Sequence, residues 1–219
     1  MAMIEGVEVE IDAEAVVVTA AAPLAVLSSA VAGGGLDRAR TIINLHVDKN
    51  CPLEDAEARL GPFVAWRRLP APWVGLLTGA WTDRAQVAAE SAGSIRVLVV
   101  ATIGLSNPVA AGWSPVATGT HGTINTIVVV DARVTPAALV NLALTVTEVK
   151  GLVLAAAGLA CEDGGIASGT STDAVVVAAT DRGPAVRFGG PISPAGWVVA
   201  RATRTALTEG VKRWMEHPR

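Results

Sequence analysis

Gly122-Thr-Ile-Asn-Thr-Ile-Val-Val-Val130 and Gly169-Thr-Ser-Thr-Asp-Ala-Val-Val-Val177 are the stretches whose reading decides the fold. Each opens on Gly-Thr, passes through polar residues and runs into three valines, five matches in nine positions. A polar loop followed by a short β-branched run predicts a turn feeding a buried strand. If the two strands belong to one sheet and their loops lie at the same end, Thr123, Asn125, Thr170, Ser171 and Asp173 share one neighbourhood.

Outward from these strands the chain alternates short apolar segments with helices. Val7 to Ile11 alternates as an edge strand does, Ala15–Thr19 and Leu24–Leu27 are short enough for two buried strands, and Thr41–Val47 alternates again. Pro52 leads into a short acidic helix through Glu54, Asp55 and Glu57. Val74–Leu77 and Ile95–Ile103 predict two further strands, with a helix between them beginning near Asp83, a suitable N-cap. Thr135-Pro136 opens the clearest helix, an N-cap followed by proline at the first helical position, and Gly158 closes it. Its only charges between Ala137 and Ala157 are Glu148 and Lys150, so it is expected to be buried almost all round. Those two side chains point roughly 200° apart and cannot pair with each other. A last helix, Pro194 to Met215, carries the scattered charges of a surface element. Strands interspersed with at least three helices predict an α/β layered domain, a single one over residues 1–219, with a mixed β-sheet flanked by helices; strand order cannot be read.

Composition excludes several function classes. Hydrophobic residues make up 51% and charged residues 17% of the 219, against about 25% charged in ordinary soluble domains, so much of the chain must be hidden from water. A net charge of -3, with Lys and Arg clustering no further than Arg67-Arg68 and Lys212-Arg213, gives no field for a phosphate backbone, and no nucleic acid partner is expected. Cys51 and Cys161 lie too far apart to propose a disulfide framework or a CxxC metal site. The uncharged stretches Ala15–Leu36 and Val97–Val130 are broken by proline and glycine before reaching the 18 or so apolar residues of a membrane span. The N-terminus is acidic rather than a signal peptide, and the protein is expected to be soluble and cytoplasmic with no membrane partner.

The residues able to do chemistry gather in the polar loops. Glu148, one carboxylate on a mostly apolar helix, is a candidate acid or base if poor solvation raises its pKa, and equally a candidate for a structural ion pair. Asp173 can serve as a base, orient one, or simply stabilise its turn. Ser28, Ser29, Ser106, Thr123, Thr170, Ser171 and Thr172 supply hydroxyls, none in a GxSxG or SxxK frame that would mark a nucleophile. Gly122 with Thr123, and Gly169 with Thr170, can present backbone N–H groups to a developing oxyanion, or merely permit tight turns. His121 is placed to shuttle a proton or touch a ligand. His46, His121, Asp48 and Asp131 form no HxH or HExxH spacing, so no metal or other cofactor is expected.

Five ordered blocks carry a family resemblance: Leu27-Ser-Ser-Ala-Val-Ala-Gly-Gly-Gly35, Gly104-Leu-Ser-Asn-Pro-Val-Ala-Ala-Gly112, the segment Gly122–Ala132, Thr147-Glu-Val-Lys150 and Gly169-Thr-Ser-Thr-Asp-Ala174. Together they resemble the adenosylcobinamide amidohydrolase family, over a span from about Leu24 to about Thr180. The sequence departs from the family pattern at Gly33–Gly35, where an Asn is expected, and at Val149, where an Ala is expected. The resemblance implies hydrolysis of the amide joining aminopropanol to the corrinoid, giving adenosylcobyric acid for cobalamin salvage. Among the residues of these loops and blocks, Glu148, Asp173, Thr123 and Ser171 are the catalytic candidates, and Ser28, Ser29, Ser106, Asn107, His121, Asn125 and Thr170 the substrate-binding candidates. A corrin ring is large, flat and fringed with amides, which suits a chain with six Trp and neutral polar loops; Trp66, Trp73, Trp81 and Trp113, near Pro- or Gly-rich loops, are candidates to face it, or are core packing. The alternative is a corrinoid-binding protein without catalysis. A homo-oligomer is left open by the high apolar content.

Overall fold

The structure, a computed structural model, describes residues 4–48, 56–116 and 122–217. Its strands are β1 (Val7–Ile11), β2 (Ala15–Ser28), β3 (Gly35–His46), β4 (Trp73–Thr78), β5 (Gln86–Ala92), β6 (Ile95–Gly104), β7 (Pro108–Val109), β8 (Thr123–Asp131), β9 (Arg133–Val134), β10 (Gly169–Thr170), β11 (Ala174–Ala179) and β12 (Ala185–Val186). Its helices are α1 (Ala56–Arg67), α2 (Pro136–Ala156) and α3 (Pro194–Glu216).

Side chains on a strand alternate between faces, and here both faces are apolar. On β8, Val128 and Val130 enter one core while Ile127 and Val129 enter another. The same division runs through β6, where Val97 and Val99 part from Leu98 and Val100. The main sheet is mixed, in the order β4-β3-β2-β11-β8-β6-β5, with β1 also on β2. β8 and β11 are parallel neighbours, as are β3 and β4, and the remaining pairs in this sheet are antiparallel.

The sheet folds back on itself. Asn125 on β8 donates to Asn44 on β3 and to the carbonyl of Leu77 on β4, strands that are not its neighbours in the sheet. The β2–β4 wing therefore faces the β6–β8 wing, and Val16, Val18, Ile42 and Leu76 meet Leu98, Val100, Ile127 and Val129 between them. Leu60, with Phe63 and Val64 of α1 against it, closes the outer face of one wing over Ile43 and Leu45. α2 and α3 close the other, through Leu139, Leu142, Val146, Val198, Val199 and Leu207. The result is four layers, helix, sheet, sheet and helices.

The expected α/β class with a mixed sheet flanked by helices holds, and several local expectations change. Ala15–Thr19 and Leu24–Leu27 are one strand whose register shifts between Thr19 and Leu24, where Pro23 sits, a position proline tolerates because a bulge needs fewer ladder bonds. The helix expected from Asp83 is a 3-10 turn, Thr82–Arg84, with no side-chain cap, followed by β5. Gln86–Ala92 contains good helix formers, but the two-residue Gly93-Ser94 turn, with Gly93 at φ 58°, pairs it register for register with Ile95–Ala101. The start of the acidic helix expected after Pro52 lies outside the described residues.

α2 begins as expected, with the Thr135 hydroxyl accepting from the Ala138 N–H, and Gly158 beyond its end has φ 67°. It is not buried all round: Val140, Leu144 and Leu152 are exposed on its outer face. By length and composition it would suffice to cross a membrane, yet Leu139, Leu142, Val146, Val149 and Val153 pack in the core.

Candidate active site

The parallel pairing of β8 with β11 brings both polar loops to one end of the sheet. Sequence matching sets Asn125 against Thr172, whereas the register pairs Asn125 with Ala174, a slip of two residues that keeps every side chain on its own face. Thr123 consequently lies opposite Thr172, and their hydroxyl oxygens are 2.8 Å apart.

Asp173 is the best-satisfied group in this region. Its Oδ2 accepts from the Lys150 Nζ at 2.5 Å and from the Thr170 N–H at 3.0 Å, and its Oδ1 accepts from the Ile124 N–H at 2.9 Å and from the Thr170 hydroxyl. Lys150 arrives from α2, and its side chain and that of Asp173 are only 11% and 10% exposed. Buried ions need partners of this kind, since leaving either alone costs several kcal/mol. Gly169 makes room for the pair: a Cβ there would lie 2.4 Å from the carboxylate and 2.8 Å from the ammonium.

The hydroxyl protons can be ordered. Thr172 donates to the Gly122 carbonyl at 2.9 Å, which uses its one proton, so it accepts from Thr123. The Thr170 hydroxyl lies near both Asp173 and the Gly122 carbonyl, and the charged acceptor is the stronger. The Thr123 proton is thereby directed away toward Thr172, which leaves its oxygen lone pairs available. Thr123 lines two hollows at the mouth of the sandwich. The smaller, about 30 Å³, is also lined by Trp81, Arg84, Ser106 and Arg213; the larger, about 270 Å³, by Ser29, Asp48, Ser171 and Asp173.

The remaining candidates divide. Asn107 bridges the two loops, its amide donating to the Ser171 hydroxyl at 2.8 Å and its oxygen accepting from the Gly122 N–H at 2.6 Å. Ser29 accepts from the Val175 N–H beside the larger hollow, and Ser106 is exposed in the smaller. Ser28 is buried and caps a local turn through the Ala30 N–H. Asn125 is 1% exposed, and its amide is spent on Asn44 and Leu77 inside the sandwich, so it holds the two wings together rather than facing a ligand. His121 lies outside the described residues.

Three expectations need correction. Glu148 is exposed and not a poorly solvated carboxylate; the buried ion on that helix is Lys150. The Gly122 and Thr170 N–H groups are not an oxyanion nest, because they are already bonded to Asn107 and Asp173. Trp66 and Trp113 are strongly exposed and line neither hollow at Thr123; Trp81, stacked on His46 with centroids 4.9 Å apart, and Trp214 line the smaller one. From sequence Lys150 was only one of two charges on an apolar helix and Thr172 only one hydroxyl among seven; neither was given a role, although a lone Lys on an apolar helix and an Asp in a polar loop were a usable signal for a buried pair. Among the described residues no group of three His, Cys, Asp or Glu side chains is placed to hold a metal ion.

Fold and site together define an α/β protein of folded-sheet, four-layer type with a hydroxyl-rich cleft at one end. A family model for adenosylcobinamide amidohydrolase matches residues 2–219, and the chain belongs to that family. An adenosylcobinamide amidohydrolase of Halobacterium salinarum is 33% identical over 145 residues, covering 63% of this chain and 56% of that protein, so the chain spans little more than half the length of that relative. Two solved structures share the fold at low identity. A beta-aminopeptidase of Burkholderia sp. superposes with a TM-score of 0.51 at 13% identity, covering 92% of this chain and 79% of that one. The PH0078 protein of Pyrococcus horikoshii superposes with a TM-score of 0.50 at 12% identity, covering 96% and 80%.

Proposed function

We propose that the chain hydrolyses the amide joining aminopropanol to the corrinoid in adenosylcobinamide, giving adenosylcobyric acid for cobalamin salvage: the Thr123 oxygen attacks the amide carbonyl, its proton passes to the departing aminopropanol nitrogen, and water then cleaves the resulting ester to release the acid and restore the Thr123 hydroxyl. Family membership and the activity named for the Halobacterium relative support the substrate class. The observation that carries the reading is the Thr123 hydroxyl at the junction of two hollows, its oxygen 2.8 Å from that of Thr172. Amide cleavage needs the carbonyl carbon at the nucleophile with room on both sides, one for the acyl part and one for the leaving amine. Neither hollow admits a corrin ring, so the ring stays outside the larger opening and the amide arm enters. With four donors on its oxygens, Asp173 is a strut for the Thr170–Thr172 turn more than a base. Ser171 and Asn107 at the rim, with Ser29, offer neutral donors to the peripheral amides of the ring.

A non-catalytic corrinoid binder would need the rim but not a hydroxyl set between two hollows. On this reading the protein acts in the cytoplasm. Incubation with adenosylcobinamide followed by mass analysis tests it: release of aminopropanol and adenosylcobyric acid is expected. Binding of the corrinoid with no cleavage would select the binder.

A further inference from the structure

The two hollows that meet at Thr123 differ in charge, and the smaller is the biased one. Arg84 and Arg213 line it, and no Asp or Glu does among the described residues. Neither guanidinium is in an ion pair among those residues. Arg84 gives one N–H to the His217 carbonyl at 3.3 Å, which leaves most of its five donors unspent. Ser106 adds an exposed hydroxyl to the same hollow.

The convergence of two cations from distant parts of the chain is built into the packing. Arg84 ends the 3-10 turn before β5, and Arg213 lies in the last turn of α3. α3 comes close enough because residue 210 is glycine: a Cβ there would fall 2.2 Å from the Ile103 side chain. Two like charges brought to one small space repel, and an anion between them relieves both. The space, about 30 Å³, fits a group of a few heavy atoms and not a ring.

We propose that this hollow is an anion subsite that takes a phosphate ester on the hydroxyl of the substrate's amino-alcohol arm. The proposal rests on the hydrolase reading: with the amide at Thr123 and the ring outside the larger hollow, the leaving amine points into the smaller one. The hydroxyl of that arm is only a few bonds from the amide nitrogen, so an ester on it comes within reach of the arginines. Corrinoids with a phosphorylated arm are then better substrates than those with a free hydroxyl.

Calorimetric titration with 1-amino-2-propanol O-phosphate, inorganic phosphate, acetate and 1-amino-2-propanol tests the subsite without needing turnover. Both phosphates are expected to bind, with acetate and the unphosphorylated amine at least tenfold weaker, and Arg84→Ala and Arg213→Ala each to weaken phosphate binding tenfold or more. Arg213 is exposed, so its replacement leaves the fold intact should Arg84→Ala not. Phosphate binding unchanged in Arg213→Ala, or acetate binding as tightly as phosphate, overturns the proposal. Initial rates on arm-phosphorylated and free-hydroxyl corrinoids complete the test. Turnover with no preference between them overturns the subsite and leaves the hydrolase reading standing. Arginine-dependent phosphate binding with no turnover of any corrinoid supports the subsite and counts against the hydrolase.

Discussion

The two ends of the β8–β11 pair carry the same chemistry in different surroundings. At the amino ends, Asp173 meets the Thr170 hydroxyl and Lys150; at the carboxyl ends, Asp131 meets the Thr180 hydroxyl at 2.8 Å and Arg182 at 3.3 Å. Lys150 is 11% exposed and Arg182 is 48% exposed. An Asp–Thr–cation cluster is thus no mark of function by itself. What separates the two ends is burial of the cation, the backbone N–H groups aimed at the carboxylate, and the hollows in front of Thr123.

Substitutions at the two ends should therefore behave unequally. Lys150→Met leaves the Asp173 carboxylate buried without its partner, and urea unfolding should show a loss of about 3–5 kcal/mol, with hydrolysis abolished. Asp131→Asn removes an ion pair whose cation is half in water, so its cost should stay under about 1 kcal/mol and the rate of aminopropanol release should not change. A comparable loss at both ends would erase the distinction.

The smallest effect belongs to the Asp12–Arg67 ion pair. Burial pushes the Asp12 carboxyl up, but the N–H groups of Ala15 and Glu14 and the Arg67 guanidinium outweigh it and hold the group below its ordinary value of 3.8. A depressed carboxyl stabilises the fold above its unfolded-state value and loses that contribution as pH falls through the folded-state one. Asp12→Asn should therefore lower the melting temperature slightly at pH 7, and the gap to wild type should close on acidification below about pH 4. Asp12 is more than a third exposed, so the shift should be small. A gap that widens on acidification would contradict this.

The matched GTINTIVVV and GTSTDAVVV stretches made the central strands and their shared polar end legible, because Gly-Thr followed by valines constrains both turn and strand. The register was not legible, since a slip of two residues keeps the side chains on the same faces. Nor was the doubling of the sheet: Asn44 and Asn125 meet only after strands far apart in sequence are stacked. β5 was hidden because alanine, glutamine and glutamate favour helix locally, and only pairing with β6 overrules them. Glu148 and Lys150 were both visible on an apolar helix, but which of them turns inward depends on the helix's rotation against β11, which local sequence does not encode.

The central claim is that the Thr123 hydroxyl performs the chemistry. Its most direct test is the initial rate of aminopropanol release from adenosylcobinamide by the wild type, Thr123→Ser and Thr123→Val, each first shown by circular dichroism to be folded. The account predicts activity within about tenfold of wild type for the serine variant and a fall of about 100-fold or more for the valine variant, with corrinoid binding retained. Wild-type rates in Thr123→Val would contradict it.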